Sequence, residues 1–123
     1  MRIIHILPLS ALLFLTISCG QKQQAESTIK CFLEANLKDA RDLNITQYGE
    51  IDSTRYLNDS IIEKLRKDIK KSRPYKKYIK FSQNKEEDKL IILRVKYNTN
   101  GKDYHDTYYL NKDMTKVIAI KSN

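Results

Sequence analysis

The sequence is poor in the residues that several common types of active site require. It contains no tryptophan and only three glycines, two prolines, two cysteines and two histidines in 123 residues. The isolated glycines cannot form a glycine-rich phosphate-binding loop, and so few cysteines and histidines argue against a zinc site. The length favours one domain and argues against dinucleotide-binding folds and α/β barrels, which need roughly 150 to 250 residues. We therefore expect a non-enzymatic domain without cofactor or metal.

The chain has one long hydrophobic run, and it lies at the N-terminal end. Residues 6–18 carry no charge, while Arg2 and His5 precede them. The apolar part, from Ile6 to Ile17, is shorter than the roughly 20 residues that a transmembrane helix needs. Its length and its basic flank are typical of a secretory signal segment.

The end of this segment resembles the lipobox of bacterial lipoproteins. It reads Leu15-Thr16-Ile17-Ser18-Cys19, with a small residue directly before the cysteine, although Thr16 stands where the family usually has leucine. The resemblance implies that residues 1–18 are a signal peptide and that Cys19 becomes the lipid-acylated first residue of the mature protein. Several acyl chains on one cysteine would hold the protein on a membrane, since each buried CH₂ contributes about 0.8 kcal/mol.

Residues 19–27 are predicted to be the lipid anchor and a polar tether, and residues 28–123 a single domain. The Lys-, Ile-, Asn- and Tyr-rich composition is similar to that of Bacteroidota lipoproteins. Those displayed on the cell surface often carry acidic residues directly after the cysteine, which this chain lacks. The resemblance therefore implies an outer-membrane anchor that faces the periplasm.

Two amphipathic helices are predicted from the spacing of apolar residues. The first covers residues 24–40. The second covers residues 60–72, with Ile62, Leu65 and Ile69 facing inward. Ser60 and Glu63 match the S-x-x-E capping box at its start, and Pro74 prevents its continuation.

Strands are predicted at residues 49–56, 75–82, 89–98, 103–110 and 115–121. Asn100-Gly101 is a strong signal for a tight hairpin between the third and fourth of these. On the strand before that turn, one face carries Ile91, Leu93, Val95 and Tyr97 and is the better core face.

The order of elements predicts an α+β fold, with two helices packed on a curved, mainly antiparallel sheet of four to five strands. This order resembles the small cystatin-like and nuclear-transport-factor-like domains. The resemblance implies a concave sheet face used for binding, here around Tyr97, Tyr104 and Tyr108.

The most unusual feature is a basic stretch between residues 64 and 80, in which Asp68 is the only acidic residue. In an envelope protein such a surface would meet an acidic protein or the anions of lipid head groups and glycans, and not nucleic acid. A solvated surface without a partner is the alternative interpretation. The basic stretch consists of Lys64, Arg66, Lys67, Lys70, Lys71, Arg73, Lys76, Lys77 and Lys80.

Catalytic and metal sites find little support in the sequence. Asp103, His105 and Asp106 form the one metal-like cluster, but Asp106 would point to the opposite face of its strand, leaving two ligands at most. The carboxylates of residues 86–88 fall in a predicted turn, where water solvates them. Cys31, the cysteine left after acylation of Cys19, is more typical of a semi-buried apolar position than of a nucleophile.

Asp52-Ser53-Thr54 and Asp59-Ser60-Ile61 resemble the Asp-Ser/Thr-apolar acceptor of O-glycosylation in Bacteroidota. Ser53 is the better candidate, because the predicted capping role of Ser60 competes with a glycan.

Taken together, these features predict a lipid-anchored, non-catalytic binding domain of the cell envelope. The alternative is an immunity or inhibitor protein that binds and blocks a toxin or an enzyme of the envelope.

Overall fold

The computed structural model describes residues 20–72, 74–81 and 89–123. Two helices are present in these ranges: α1 covers residues 20–36, and α2 covers Asp59–Lys70. No helix of the described ranges is long and apolar enough to cross a membrane. The strands are β1 (Asn44–Tyr48), β2 (Asp52–Thr54), β3 (Leu90–Thr99), β4 (Lys102–Leu110) and β5 (Val117–Ser122).

The five strands form one antiparallel sheet, which confirms the predicted α+β class. The order across the sheet is β1-β3-β4-β5, and β2 pairs with β3 on the same side as β1. The two short strands thus follow one another along the ten-residue β3, β1 beside its second half and β2 beside its beginning. Gly49 lies between them, where its N–H donates to the carbonyl of Arg94 at 2.7 Å and continues the ladder.

The hairpin between β3 and β4 has the predicted two-residue turn. Asn100 and Gly101 both have positive φ angles, 53° and 75°, as a type I′ turn requires. In such a hairpin the flanking residues, Thr99 and Lys102, form a hydrogen-bonded pair. Hydrogen-bonded and non-hydrogen-bonded pairs alternate along the hairpin, so this pair determines which neighbouring strand the backbone N–H and C=O groups of each residue face.

The main core lies between α1 and one face of the sheet. Ala25, Ile29 and Leu33 are each 0% exposed and recur at helical spacing along α1. They belong to one cluster with Leu93 and Val95 of β3, so the predicted core face of that strand is confirmed.

Helix α2 packs along β5, the edge strand of the sheet. Its Ile69 belongs to the main core, whereas Ile62 belongs to a second cluster with Leu90 and Ala119. Leu90 and Ala119 lie on the sheet face opposite to Leu93. Leu90 is three residues before Leu93 on β3, and Ala119 is level with Ile92, the neighbour of Leu93, through the pairing of both with Tyr109. The helix therefore buries apolar side chains on both sides of the β5 edge, and the predicted inward positions of Ile62, Leu65 and Ile69 are confirmed.

Two strand predictions are wrong. Residues 49–56 do not form one strand, since β1 comes earlier, at Asn44–Tyr48, and β2 has only three residues. A bulge between Ile45 and Gln47 breaks the alternation by which β1 would be recognised. Residues 75–81 form no strand, because Tyr75 makes only an isolated bridge with Leu37. Residue 82, where that predicted strand ended, lies outside the described residues.

The helix boundaries also differ from the prediction. Helix α1 ends at residue 36, where Leu37 bridges to Tyr75, so Ala40 is not part of it. Helix α2 is capped by Asn58, whose side-chain oxygen accepts the N–H of Ile61 at 2.8 Å. Ser60 lies inside the first turn, and the predicted Ser60/Glu63 capping box is not formed.

Candidate binding surface and buried polar network

The basic stretch lies mostly at the surface. Four of its lysines lie on α2 or at its C-terminal cap, and three follow in the irregular segment of residues 74–81. Arg73 lies outside the described residues. The seven lysines of the stretch, all exposed, are Lys64, Lys67, Lys70, Lys71, Lys76, Lys77 and Lys80.

Two residues of the stretch make contacts within the fold. Arg66 is half-buried: its Nε donates to the carbonyl oxygen of Ile118 at 2.8 Å, and its guanidinium lies 5.4 Å from the ring centroid of Phe81. Lys76 donates from Nζ to the carbonyl oxygen of Ala35 at 3.2 Å, near the end of α1. Cations at this end of a helix also interact favourably with its dipole. Arg66 and Lys76 therefore contribute to the stability of the fold.

The structure brings together a polar cluster that the sequence did not predict. Tyr75, Tyr97, Asp106 and Tyr108 are each at most 2% exposed and lie in the main core. The hydroxyls of Tyr75 and Tyr97 each donate to Oδ2 of Asp106 at 2.6 Å. The hydroxyl oxygens of Tyr75 and Tyr108 lie 2.8 Å apart, and those of Tyr97 and Tyr75 lie 3.1 Å apart.

One arrangement of the hydroxyl hydrogens satisfies every member of this network. Each phenol supplies one hydrogen. Tyr108 donates to the oxygen of Tyr75, and Tyr75 and Tyr97 donate to Asp106, so that the carboxylate accepts two of the three hydrogens and the Tyr75 oxygen accepts the third. Every fully buried side-chain nitrogen or oxygen atom in the described ranges has a hydrogen-bond partner.

Burial shifts the pKa of each group in the network toward the neutral form. It raises the pKa of Asp106, an effect that the hydrogen bonds from Tyr75 and Tyr97 oppose. Burial raises the pKa values of Tyr75 and Tyr108 well above the ordinary phenol value, and it raises that of Tyr97. Because the four side chains are shielded from solvent, their hydrogen bonds join separate segments inside the core.

Sequence reasoning missed this cluster because its members come from separate segments. Asp106, Tyr97 and Tyr108 lie on β3 and β4, where pairing of Val95 with Asp106 places the carboxylate on the core face. Tyr75 comes from the segment predicted as a strand. The sequence did contain one signal. Asp106 is a charged residue two positions from both Tyr104 and Tyr108, so it must share their core face of β4.

The expected concave binding surface around Tyr97, Tyr104 and Tyr108 is not open. Tyr97 and Tyr108 are 1% and 0% exposed, and Phe32 of α1 packs its ring edge-on against Tyr108 at 5.8 Å. Tyr104 is half-buried and stacks on Tyr97 with ring centroids 5.4 Å apart. Tyr97 and Tyr108 therefore belong to the core.

Asp103 and His105 lie on the sheet face opposite to Asp106, in agreement with the alternation of the strand. Together with Thr46 and Lys96 they line a cavity of about 510 Å³. No group of three or more His, Cys, Asp or Glu side chains suited to a metal ion occurs among residues 20–72, 74–81 and 89–123. The carboxylates of residues 86–88 lie outside these ranges.

The remaining candidate residues are dispersed. Cys19 lies outside the described residues, and Cys31 is an exposed free thiol on α1, not semi-buried. Ser53 is exposed on β2, and Asp52 Oδ1 accepts its N–H at 2.7 Å. Ser60 is exposed in the first turn of α2.

Comparison with protein-family models, with curated proteins and with solved structures found no match to this chain.

Proposed function

We propose that this chain is a lipid-anchored protein of the cell envelope, whose domain binds an acidic partner and catalyses no reaction. The observation that carries the proposal is the N-terminal sequence, in which an apolar segment of signal length ends at Ser18-Cys19. Acylation of Cys19 would leave the folded domain attached to the outer membrane on its periplasmic side.

The position of α1 supports an anchor close to the domain. Residues 20–27, predicted as a tether, are helical, and Ala25 is fully buried in the core. The Thr28 hydroxyl donates to the carbonyl oxygen of Met114 at 2.6 Å and fixes this part of α1 to the turn before β5. A lipid on Cys19 would therefore hold the domain close to the bilayer surface.

The distribution of side chains supports binding and not catalysis. Asp106, a carboxylate whose pKa is raised by burial, is enclosed by three tyrosines, so no substrate reaches it without rearrangement of the core. The exposed side chains of the basic stretch, in contrast, are directly available to a partner. A lysine-rich surface acts as a diffuse positive field, which attracts acidic molecules of many shapes.

The proposal is tested by metabolic labelling with a fatty acid, followed by membrane fractionation. Wild type and Cys31→Ser should incorporate label and sediment with membranes, because Cys31 lies within the folded domain. Cys19→Ser should incorporate no label and should leave the membrane fraction. Labelled, membrane-bound Cys19→Ser would contradict the proposal.

A further inference from the structure

Helix α1 runs from one end of the sheet to the other. The β3–β4 hairpin turn marks one end, and the β4–β5 turn, residues 111–116, marks the other. Near its start, α1 is fixed to the β4–β5 turn by the hydrogen bond from Thr28 to Met114. Just after its end, the carbonyl oxygen of Asp39 accepts the hydroxyl of Thr99, beside the hairpin turn, at 2.9 Å. The start of α1 therefore lies at the end of the sheet that carries the β4–β5 turn.

A lipid on Cys19 would be attached to this end of the domain. Cys19 directly precedes α1 in the sequence, since the helix covers residues 20–36. At 1.5 Å per residue, these 17 residues span about 25 Å. The two ends of the domain thus lie at clearly different distances from the anchor, and we call the end with the β4–β5 turn the anchor-side end.

Four segments carry exposed basic side chains at the anchor-side end. They are the start of α1, the residues after β2, the residue before β3 and the β4–β5 turn. The last residue of β2, Thr54, pairs with Leu90, the first residue of β3, which places the neighbouring chain of both strands at this end. The exposed cations of the four segments are Lys22, Arg55, Lys89, Lys112 and Lys116.

The anchor-side end carries more positive than negative charge. Among residues 20–24, 55–59, 89 and 111–116, the acidic side chains are Asp59 and Asp113, against the five cations. None of the five cations forms an ion pair with another described residue. A membrane surface that contains anionic lipid attracts such a group of cations.

Tyr56 adds an aromatic ring to this end. It follows Arg55 directly and is 88% exposed. A tyrosine has an apolar ring and a polar hydroxyl, so it suits the head-group region of a bilayer, where one end of the side chain is apolar and the other is hydrated. Cations and an exposed tyrosine therefore combine where a lipid on Cys19 would bring the bilayer close.

We infer that the anchor-side end docks on a bilayer that contains anionic phospholipid, with its five cations against the lipid phosphates and Tyr56 among the head groups. A membrane is favoured over an acidic protein because the anchor holds this end at the bilayer, where the effective concentration of head groups is high. The inference rests on the lipid anchor of the proposed function and specifies the orientation of the domain. Residues 74–81 then face away from the membrane, because Lys76 bonds to Ala35 near the other end of α1.

Tryptophan provides the probe for this orientation, since the chain contains none. Tyr56→Trp places the probe at the anchor-side end. Tyr78→Trp is the matched control, because Tyr78 is also 88% exposed but lies two residues after Lys76, near the far end of α1.

Each variant is extracted from membranes and inserted into vesicles of phosphatidylglycerol and dibrominated phosphatidylcholine, whose bromine atoms quench tryptophan on contact. The emission of Tyr56→Trp should decrease and shift to shorter wavelengths. The emission of Tyr78→Trp should keep its intensity and wavelength. Salt near 1 M should restore part of the emission of Tyr56→Trp, because the screening length falls to about 3 Å.

A second comparison, in the Tyr56→Trp variant, tests the cations. Lys112→Glu together with Lys116→Glu should restore the emission, because two of the five cations become anions. Lys38→Glu together with Lys102→Glu makes the same change in charge near the hairpin turn and should leave the quenching unchanged. All four lysines are exposed, so the fold tolerates both pairs of changes.

The inference is overturned if the two tryptophan variants are quenched equally, or if the two pairs of charge reversals behave alike. Flotation with vesicles of phosphatidylcholine alone tests the anchor separately, because these vesicles carry no net charge. A protein that does not float contradicts the anchor and the inference with it. A protein that floats, but whose two tryptophan variants are quenched equally, contradicts the docking alone.

Discussion

At the scale of single residues, the buried network around Asp106 explains why the core contains three fully buried tyrosines. A buried hydroxyl without a partner costs about 1 to 3 kcal/mol, and the cost of an unpaired buried charge is larger. Here the carboxylate receives two hydroxyl hydrogens and the third hydroxyl bonds to Tyr75. The four side chains thus tie β3 and β4 to the segment of residues 74–81.

The network predicts the behaviour of the protein at alkaline pH. Burial raises the pKa of Tyr48 to about 12, and it raises the pKa values of Tyr75, Tyr97 and Tyr108 above the ordinary phenol value of 10.0. The folded chain then holds protons that the unfolded chain releases above pH 10. The free energy of unfolding should therefore decrease as the pH rises above 10.

Ultraviolet absorbance of phenolate checks this directly. At pH 11 the native protein should contain about four fewer ionised tyrosines than the urea-unfolded protein. Phe substitutions supply the control: Tyr108→Phe should reduce this difference by about one tyrosine, and Tyr56→Phe should leave it unchanged because Tyr56 is 88% exposed. Identical titration curves for the native and unfolded chains would contradict the buried network.

At the scale of elements, local patterns predicted part of the fold. The hairpin was predicted correctly because Asn100 and Gly101 tolerate positive φ angles wherever they occur. The inward positions on α2 followed from helical spacing alone. The β1 strand escaped prediction because the bulge after Ile45 interrupts its alternation.

The segment of residues 74–81 shows why pattern alone is insufficient. Tyr75 and Ile79 are buried and suggest a packed strand, but they insert into the core from an irregular segment. Tertiary contacts with Leu37 and Asp106 decide its conformation, and these partners are distant in the sequence. The packing of α2 along β5 was unpredictable for the same reason, since it depends on contacts between segments that are distant in the sequence.

The start of α2 gives a test of the cap. Asn58→Ala should lower the free energy of unfolding by about 0.5 to 2 kcal/mol, because it leaves the N–H of Ile61 without its acceptor. Ser60→Ala should change it by less than about 0.5 kcal/mol, as is usual for an exposed position. Urea denaturation of both variants measures the difference. A larger loss for Ser60→Ala would show that Ser60 is the cap.

At the scale of the whole molecule, the chain has a formal net charge of +8, and its surface carries the lysines of the basic stretch. Part of this charge has a structural use, since Lys67 and Lys70 lie in the last turn of α2, where cations interact favourably with the helix dipole. The rest remains available to attract a partner.

Charge reversal separates these two uses. Changing Lys64, Lys77 and Lys80 together to Glu, with Lys67 and Lys70 kept in the last turn of α2, should slow association with acidic envelope partners, and the effect should shrink as salt screens the charges. Lys76 is kept because it donates to the carbonyl of Ala35. Crosslinking in isolated envelopes at low and high salt measures association, and far-ultraviolet circular dichroism checks the fold. Equal crosslinking of wild type and variant at low salt would identify the lysines as a solvated surface only.

We propose that a lipid on Cys19 holds the domain on a membrane. The most direct measurement is mass spectrometry of the mature protein extracted from membranes, with fragmentation of its N-terminal peptide. If Cys19 is the anchor, the mature chain begins at Cys19 and this residue carries acyl chains. A mature N-terminus at another residue, or an unmodified thiol at Cys19, would contradict a lipid anchor at this position.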